Sequence, residues 1–279
     1  MYSPKVSIIL PVFNGQDYLK FALDSILNQS YENYELIIVN DGSTDKSELI
    51  IKEYNDTRIV YIKHDNCGLS RSLNKAISIS KGEYICRMDA DDICHKDRLK
   101  KQVEILDAKK NLVLVGSNVK YINSNGKIKG YSYFGGSSKY IKSKLEKDNC
   151  IFHPTVMIRK EPLLVVGGYD ESVDIYFEDY VLWLKLIRLG DFYVIPDFLL
   201  DYRIHKDSIS NNTPESIHKI IKNYALKGYL TVDEQEEIKT IRYKKEHKNH
   251  ERKSSIIFKL ISSNRFLSKV FIFFRGVFL

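Results

Sequence analysis

The chain has 279 residues, 43% hydrophobic and 28% charged, the make-up of a water-soluble globular protein with one large core, or a core and a smaller appendage. Its formal net charge of +7 is confined to one end: residues 206–279 hold 15 Lys/Arg against 8 Asp/Glu, while the first 205 balance at 28 against 28. A neutral body argues against a nucleic-acid-binding core and a basic end points to an anionic surface, and four cysteines with no CxxC pair favour a reducing, cytosolic setting over a disulfide framework or a zinc ribbon.

Met1-Tyr2-Ser3-Pro4-Lys5 leads straight into a strand-like run, with no signal peptide ahead of it. The run Lys5 to Pro11 is apolar with little alternation, as for a strand buried on both faces. Asn14-Gly15 breaks it, and Leu19, Ala22, Leu23 and Ile26 then fall at the spacing of one helix face. A second buried strand, Glu35 to Val39, ends at Asn40-Asp41-Gly42-Ser43-Thr44-Asp45. Asp45 with Glu48 three residues on predicts a capping box for the next helix. Arg58 to Ile62 is a third strand, Asn66-Cys67-Gly68 a turn, and 69–80 a helix leading into a fourth strand that begins at Tyr84 and carries the aspartates. Strand–helix alternation repeated in this way implies a mostly parallel sheet flanked by helices, with ligands outside the carboxyl ends of the strands. Pro11 to Asn14, Asp41 and Asp89 to Asp92 all fall at that edge.

The fourth strand ends in Met88-Asp89-Ala90-Asp91-Asp92. In extended chain, residues i and i+2 point the same way, so Asp89 and Asp91 can converge on one point. Two hard oxygen ligands, with water and phosphate completing the shell, is how Mg²⁺ or Mn²⁺ is held beside a nucleotide. The plainer alternative is an acidic turn that caps a helix starting near Lys96. No GxGxxG or GxxxxGK[ST] occurs, which argues against a dinucleotide dehydrogenase or a P-loop enzyme.

Beyond residue 111 the pattern changes. Leu112 to Gly116 is another buried strand, 118–136 reads as short strands and turns, 138–147 as a helix and Thr155 to Arg159 as a strand. Glu178-Asp179 opens a strongly apolar helix. First-turn carboxylates are favoured by the helix dipole whatever their function, but this helix is too apolar for the surface, so its mouth is expected to face the site. Trp183 fits a core position better than a sugar platform. His153 fits packing or the acceptor side, and Arg71 a helix surface as readily as a phosphate.

The segments PVFNG, VNDGSTD, NCGLSRSLNKAI and MDADD, followed by FHPTVMIRK, GGYDESVDIYFEDYVLWLKLIRLG and FLLDYRIHKDSIS, resemble family 2 glycosyltransferases of GT-A fold over residues 5–210. The resemblance implies a Rossmann-like α/β domain over 1–210, with a nucleotide-binding half (1–110) and an acceptor-side half (111–210). The helical, basic extension over 211–279 lies beyond the resemblance and is read from its own polar and basic residues, with 213–250 as two helices. The resemblance implies an inverting enzyme that uses a nucleoside-diphosphate sugar, usually UDP-linked, and a Mn²⁺ or Mg²⁺ ion. Asp179 matches the family's general base, with Glu178 beside it. Pro11, Phe13, Asn14, Asp41, Arg71, Asp89 and Arg203 are the expected nucleotide-sugar contacts, and Asp91, Asp89 and His205 the expected metal ligands. His205 also fits loop packing.

No QxxRW-like motif and no apolar stretch of 18 residues is present, so the resemblance implies addition of single sugars rather than polymerisation and export. The expected acceptor is a glycan or lipid-linked sugar of a bacterial surface polysaccharide. Beyond Glu251 the chain has no acid, and six Lys/Arg interleave with aromatic and aliphatic residues. This reads as an interfacial anchor on the cytoplasmic face of an anionic membrane, or else as a helix docked on protein. A sugar nucleotidyltransferase and a non-catalytic nucleotide-sugar-binding protein are the rival readings. The first lacks its glycine- and basic-rich entry loop, and the second would have no use for the carboxylate pairs.

Overall fold

A computed structural model describes residues 3–173 and 177–205, together with positions 220, 223, 224, 227, 231, 233, 234, 236 and 237. In chain order the elements are β1 (Val6–Val12), α1 (Leu19–Leu27), β2 (Tyr34–Asp41), α2 (Ser47–Lys52), β3 (Ile59–His64), α3 (Leu69–Ile79), β4 (Tyr84–Arg87), β5 (Ile93–Cys94), α4 (Arg98–Ala108), β6 (Leu112–Ile122), β7 (Ile128–Tyr131), α5 (Ser138–Leu145), β8 (Met157–Arg159), α6 (Lys160–Val165), α7 (Glu178–Leu186) and β9 (Asp191–Arg203). A 3-10 turn, His153–Thr155, precedes β8.

The sheet runs β3-β2-β1-β4-β8-β6-β9-β5, with β7 beside β6. The first four strands are parallel, as the strand–helix alternation predicts. The second half is mixed: β8 is antiparallel to both β4 and β6, β9 is parallel to β6, and β5 is antiparallel to β9. Every residue of β1 and β2 is buried, which is why neither strand alternates in hydropathy. Val6, Ile8, Leu10 and Val12 share one core with Leu19, Leu23 and Ile26 of α1 and Leu99, Val103 and Leu106 of α4. On α3, Leu73, Ala76 and Ile77 are buried.

One expectation is corrected. Glu48 does not close a capping box: it turns outward to Lys52 and Lys63. The carboxylate of Asp45 instead accepts the Ser47 N–H at 2.9 Å and the Gln16 N–H at 3.0 Å, so it ties two loops together. A further difference is β9, a 13-residue strand that no unbroken apolar run announces in the sequence.

The chain forms two compact units, Met1–Leu226 and Lys227–Leu279. In the second, the Thr231 N–H donates to Glu234 Oε2 at 2.8 Å and the Glu234 N–H donates back to Thr231 Oγ1 at 3.2 Å, a capping box at a helix start. Among the described residues no helix is long and apolar enough to cross a membrane. The basic stretch 252–279 lies outside the described residues.

Candidate active site

The acidic loop owes its departure from the sheet to Pro11. Ile9 pairs with Arg87, and the Met88 N–H donates to the Ile9 carbonyl at 3.1 Å. In a parallel ladder the next rung runs from the N–H of residue 11 to the Met88 carbonyl, and proline has no N–H. The ladder stops, and the chain peels away as Asp89 to Asp92. One carboxylate oxygen from each of Asp89, Asp91 and Asp92 lies within 4.8 Å of the others. Asp91 Oδ2 is 2.9 Å from His205 Nε2. Asp89 forms an ion pair with the buried Arg87. Asp92 is buried, and its Oδ1 accepts the Arg203 N–H at 2.7 Å. Its Oδ2 has no partner among the described residues. Burial, and then the charges of Asp91 and Asp89, hold the Asp92 carboxyl well above the usual carboxylate range. Three hard oxygen donors, an imidazole at their edge and one orphaned carboxylate oxygen suit a divalent cation of the Mg²⁺/Mn²⁺ type.

Arg203 sits differently from the expectation. Its side chain is buried and donates to the carbonyls of Asp91 at 2.7 Å and of Asn123 at 2.9 Å. Its guanidinium also lies over the Tyr18 ring, 4.4 Å from the centroid. It braces the acidic loop from beneath and does not stand in the open as a phosphate ligand would.

Glu178 and Asp179 form the first turn of α7, whose apolar residues, Trp183 included, are buried. Trp183 is a core residue, packed edge-to-face on His153 with centroids 5.7 Å apart. Asp179 Oδ2 accepts from Asn149 Nδ2 at 2.8 Å, and its Oδ1 accepts the Tyr180 N–H at 2.6 Å. Burial and the neighbouring Glu178 push the Asp179 carboxyl up to about 6, against the pull of His153 and those two donors. His153 is buried between Glu178 Oε1, 3.5 Å from Nδ1, and the Tyr169 hydroxyl, 2.7 Å from Nε2. Burial and then Arg87 push the His153 imidazole down to about 3, so it is neutral. A carboxylate only accepts, which places the His153 proton on Nδ1 and makes Tyr169 the donor to Nε2. Arg87, Asp89 and Asp179 all act electrostatically on His153. His153 thus lies within the electrostatic reach of both the acidic loop and the helix mouth.

Tyr169 is fixed by Asn74, whose Oδ1 accepts the Tyr169 N–H and whose Nδ2 donates to the Tyr169 carbonyl, both at 2.9 Å. Gly168 before it has φ +72°, and a Cβ there would stand 2.6 Å from Asn74 Oδ1, so this turn requires glycine twice over.

At the nucleotide edge, Pro11 is buried and Phe13 is 54% exposed. Asn14, at φ +51°, donates its N–H to Ser43 Oγ at 3.0 Å and accepts the Thr44 N–H at 2.9 Å. This locks the loop after β1 to the loop after β2. Asp41 is buried, and its carboxylate accepts the N–H groups of Cys67 and Gly68 at 2.8 and 3.1 Å. Arg71 is exposed on α3 and paired with Glu171 at 3.1 Å.

The structure thus gathers Asp89, Asp91 and His205 in one place and sets Glu178 and Asp179 together at the mouth of α7, while Arg71 and Arg203 are engaged elsewhere. Sequence reasoning missed Arg87, Asn149 and Tyr169, and assigned no role to Asp92. Arg87 carried one readable signal: it lies two residues before Asp89 at the end of an apolar strand, so both share a face. Nothing local marks Asn149.

Comparison with known proteins places this geometry. The fold is that of GT-A glycosyltransferases: the structure aligns with residues 1–349 of Staphylococcus aureus TarS in complex with UDP-GlcNAc at a TM-score of 0.63 and 21% identity, covering 75% of this chain and 62% of that one. A mannosyltransferase from Pyrobaculum calidifontis in complex with GDP-Man and Mn²⁺ aligns at 0.59 and 19% identity, covering 81% of this chain and 70% of that one. The chain belongs to glycosyl transferase family 2, whose model matches residues 7–166. Among curated relatives, the O-antigen biosynthesis glycosyltransferase WbnJ of Escherichia coli is 35% identical over 243 residues, covering 81% of this chain and 92% of the relative. An uncharacterized glycosyltransferase of Methanocaldococcus jannaschii is 36% identical over 237 residues, covering 82% and 80%.

Proposed function

We propose that this glycosyltransferase moves a single sugar from a UDP-linked donor to a hydroxyl of a glycan or lipid-linked acceptor, with inversion, during assembly of a surface polysaccharide such as O-antigen. The observation that carries the reading is Asp179, a carboxyl in the first turn of α7 with each oxygen held by a donor and raised to about 6. A base whose proton affinity lies just below working pH is ionised yet still able to take a proton. In this reading Asp179 takes the acceptor hydroxyl proton as that oxygen bonds to the anomeric carbon, and the bond from that carbon to the diphosphate breaks. Asn149 and the Tyr180 N–H hold the two carboxylate oxygens in place, and the neutral His153 keeps Glu178 from turning away. A divalent cation, Mn²⁺ or Mg²⁺, held by Asp91 and Asp89 with His205 beside them, would supply Lewis-acid stabilisation to the departing diphosphate. Asp41, Pro11, Phe13 and Asn14 line the nucleotide edge, and Arg203 positions the acidic loop. The complexes of TarS with UDP-GlcNAc and of the mannosyltransferase with GDP-Man and Mn²⁺ support the donor class and the ion, and the WbnJ relative supports the pathway. The division into a catalytic domain over 1–210 and a basic extension that meets the cytoplasmic face of the membrane belongs to the same proposal.

The test is UDP release from UDP-sugars with Mn²⁺, followed by nucleotide titration of Asp91→Asn. The variant should lose metal-dependent nucleotide binding while keeping its fold, because one charged ligand in a site with few is removed. Full Mn²⁺-dependent affinity in Asp91→Asn would overturn the metal assignment.

A further inference from the structure

A second metal-competent group lies outside the acidic loop. Asp41 ends β2, His64 ends β3 and Cys67 sits in the turn before α3, so the ends of two neighbouring parallel strands and the turn that follows the second deliver a carboxylate, an imidazole and a thiol to one point. One donor atom from each lies within 4.8 Å of the others. His64 Nδ1 is 3.3 Å from Asp41 Oδ1 and 3.5 Å from Cys67 Sγ. Ligands of a tetrahedral zinc, with bonds of about 2.0–2.3 Å, stand about 3.3–3.6 Å apart. These two edges need almost no adjustment.

The surroundings favour the same geometry. Asp41 fixes the thiol-bearing turn by accepting the N–H groups of Cys67 and Gly68, so the backbone of Cys67 is held while its sulfur lies against the His64 ring. All three residues are buried or half-buried. His64 Nδ1 stands 2.8 Å from the Asp65 carbonyl and Nε2 stands 3.5 Å from Ser72 Oγ. Ligation through Nδ1 requires the ring to turn from the Asp65 carbonyl and give up that hydrogen bond; the ring proton moves to Nε2, where Ser72 can accept it, and a supporting acceptor on the far nitrogen is the usual companion of a metal-bound histidine. One nitrogen, one thiolate and one carboxylate form a borderline-soft donor set. It suits Zn²⁺ or Co²⁺, whereas the all-carboxylate loop suits Mn²⁺ or Mg²⁺.

We infer that Asp41, His64 and Cys67 form a binding site for a thiophilic divalent cation of the Zn²⁺ class, and that its occupancy competes with the nucleotide. The competition rests on the reading of Asp41 as a nucleotide contact given above; the cation site itself does not. Binding exchanges the thiol proton for a sulfur–metal bond, with the proton released to solvent. The chain would then carry two cation sites of opposite preference and opposite effect, one that assists the donor and one that excludes it.

The test uses the full chain and Co²⁺, whose bond to a thiolate gives a near-ultraviolet charge-transfer absorption that carboxylate sites cannot produce. Titration should yield that band at one equivalent, and Zn²⁺ should abolish it by displacement. The band should be lost in Cys67→Ser, kept in Cys150→Ser, and weakened in affinity by at least about 10–100-fold in His64→Gln, since losing even a supporting partner costs that much. Circular dichroism of each variant separates loss of a ligand from loss of the fold, and His64→Gln leaves the thiol intact should Cys67→Ser misfold. No band in the parent chain, or an unchanged band in folded Cys67→Ser, overturns the site. UDP with Mg²⁺ should suppress the band. A band that persists while UDP is bound leaves the cation site standing and overturns the competition. Failure of UDP to bind at all removes the functional reading without touching the Co²⁺ result.

Discussion

Asp179 carries one hydrogen-bond donor on each carboxylate oxygen and still holds its proton two units more tightly than an ordinary aspartate, about 6 against 3.8. Burial therefore outweighs both hydrogen bonds. Two consequences have opposite signs. In catalysis the ionised form is needed, so kcat/KM should rise with pH through about 6 and then level off. In folding, the native state binds this proton more tightly than the unfolded state. The penalty is absent below pH 3.8, grows as pH rises, and is complete above about 6. Asp179→Asn removes both at once. Transfer in single turnover should fall by about 10²–10⁴ with nucleotide affinity unchanged. Stability above pH 6 should hold or rise, by about 1–3 kcal/mol once the partial exposure of this side chain is allowed for, read as the urea midpoint at pH 7.5. Near-normal transfer would move the base elsewhere, with Glu178 first in line. A loss of stability would mean that the carboxylate is held by more than Asn149 and Tyr180.

At the scale of elements, the seam between the parallel and the mixed halves of the sheet is sealed by α4. Gln102 donates to the carbonyls of Val115 and Thr155 at 2.9 and 2.8 Å, and its Oε1 accepts from Arg98 Nε at 3.1 Å. Arg98 in turn donates to the carbonyl of Arg87 at 2.8 Å. Strands that diverge leave carbonyls with no ladder partner, and these two side chains supply the missing donors. Gln102→Leu strands two carbonyls in the core and should cost about 1–3 kcal/mol, seen as a lower urea midpoint at unchanged slope. An unaltered midpoint would show that the seam carries no such load. The same seam marks where the sequence stops being legible. In β1 and β2, runs of Val, Ile and Leu announce buried parallel strands. In β9 the run is interrupted by Pro196, Asp197 and Asp201, and its pairing with β6 slips register between Ser117 and Asn118, where Pro196 and Asp197 are passed over; hydropathy reads such a strand as loop. The candidate site divides in the same way. Asp89, Asp91 and Asp179 are legible because their motifs are contiguous. Arg98 and Arg203 are guanidiniums in the interior, satisfied by carbonyls from remote segments, and no local pattern separates them from surface arginines.

At the scale of the whole molecule, charge is the organising asymmetry. All six basic residues beyond Glu251, from Arg252 to Arg275, lie on a stretch without a single acid, and each contributes about 1 kcal/mol near an anionic surface. Deleting 252–279 should abolish sedimentation with anionic liposomes and leave turnover on a soluble acceptor mimic unchanged, and binding by the parent chain should weaken as salt is raised. Retained liposome binding by the truncated chain would place the contact elsewhere. A different whole-chain property follows from the clamp of Arg203 on the acidic loop. The donor and the Asp91 carbonyl it holds are 112 residues apart in sequence. At a synthesis rate of about 5–20 residues per second, the loop leaves the ribosome roughly 6–22 s before its brace exists. The parallel half can fold in that interval, but its three crowded carboxylates wait unsupported. Maturation of the acidic site is thus a late, long-range event in biogenesis, timed by the arrival of β9 and not by folding of the strand that carries the aspartates.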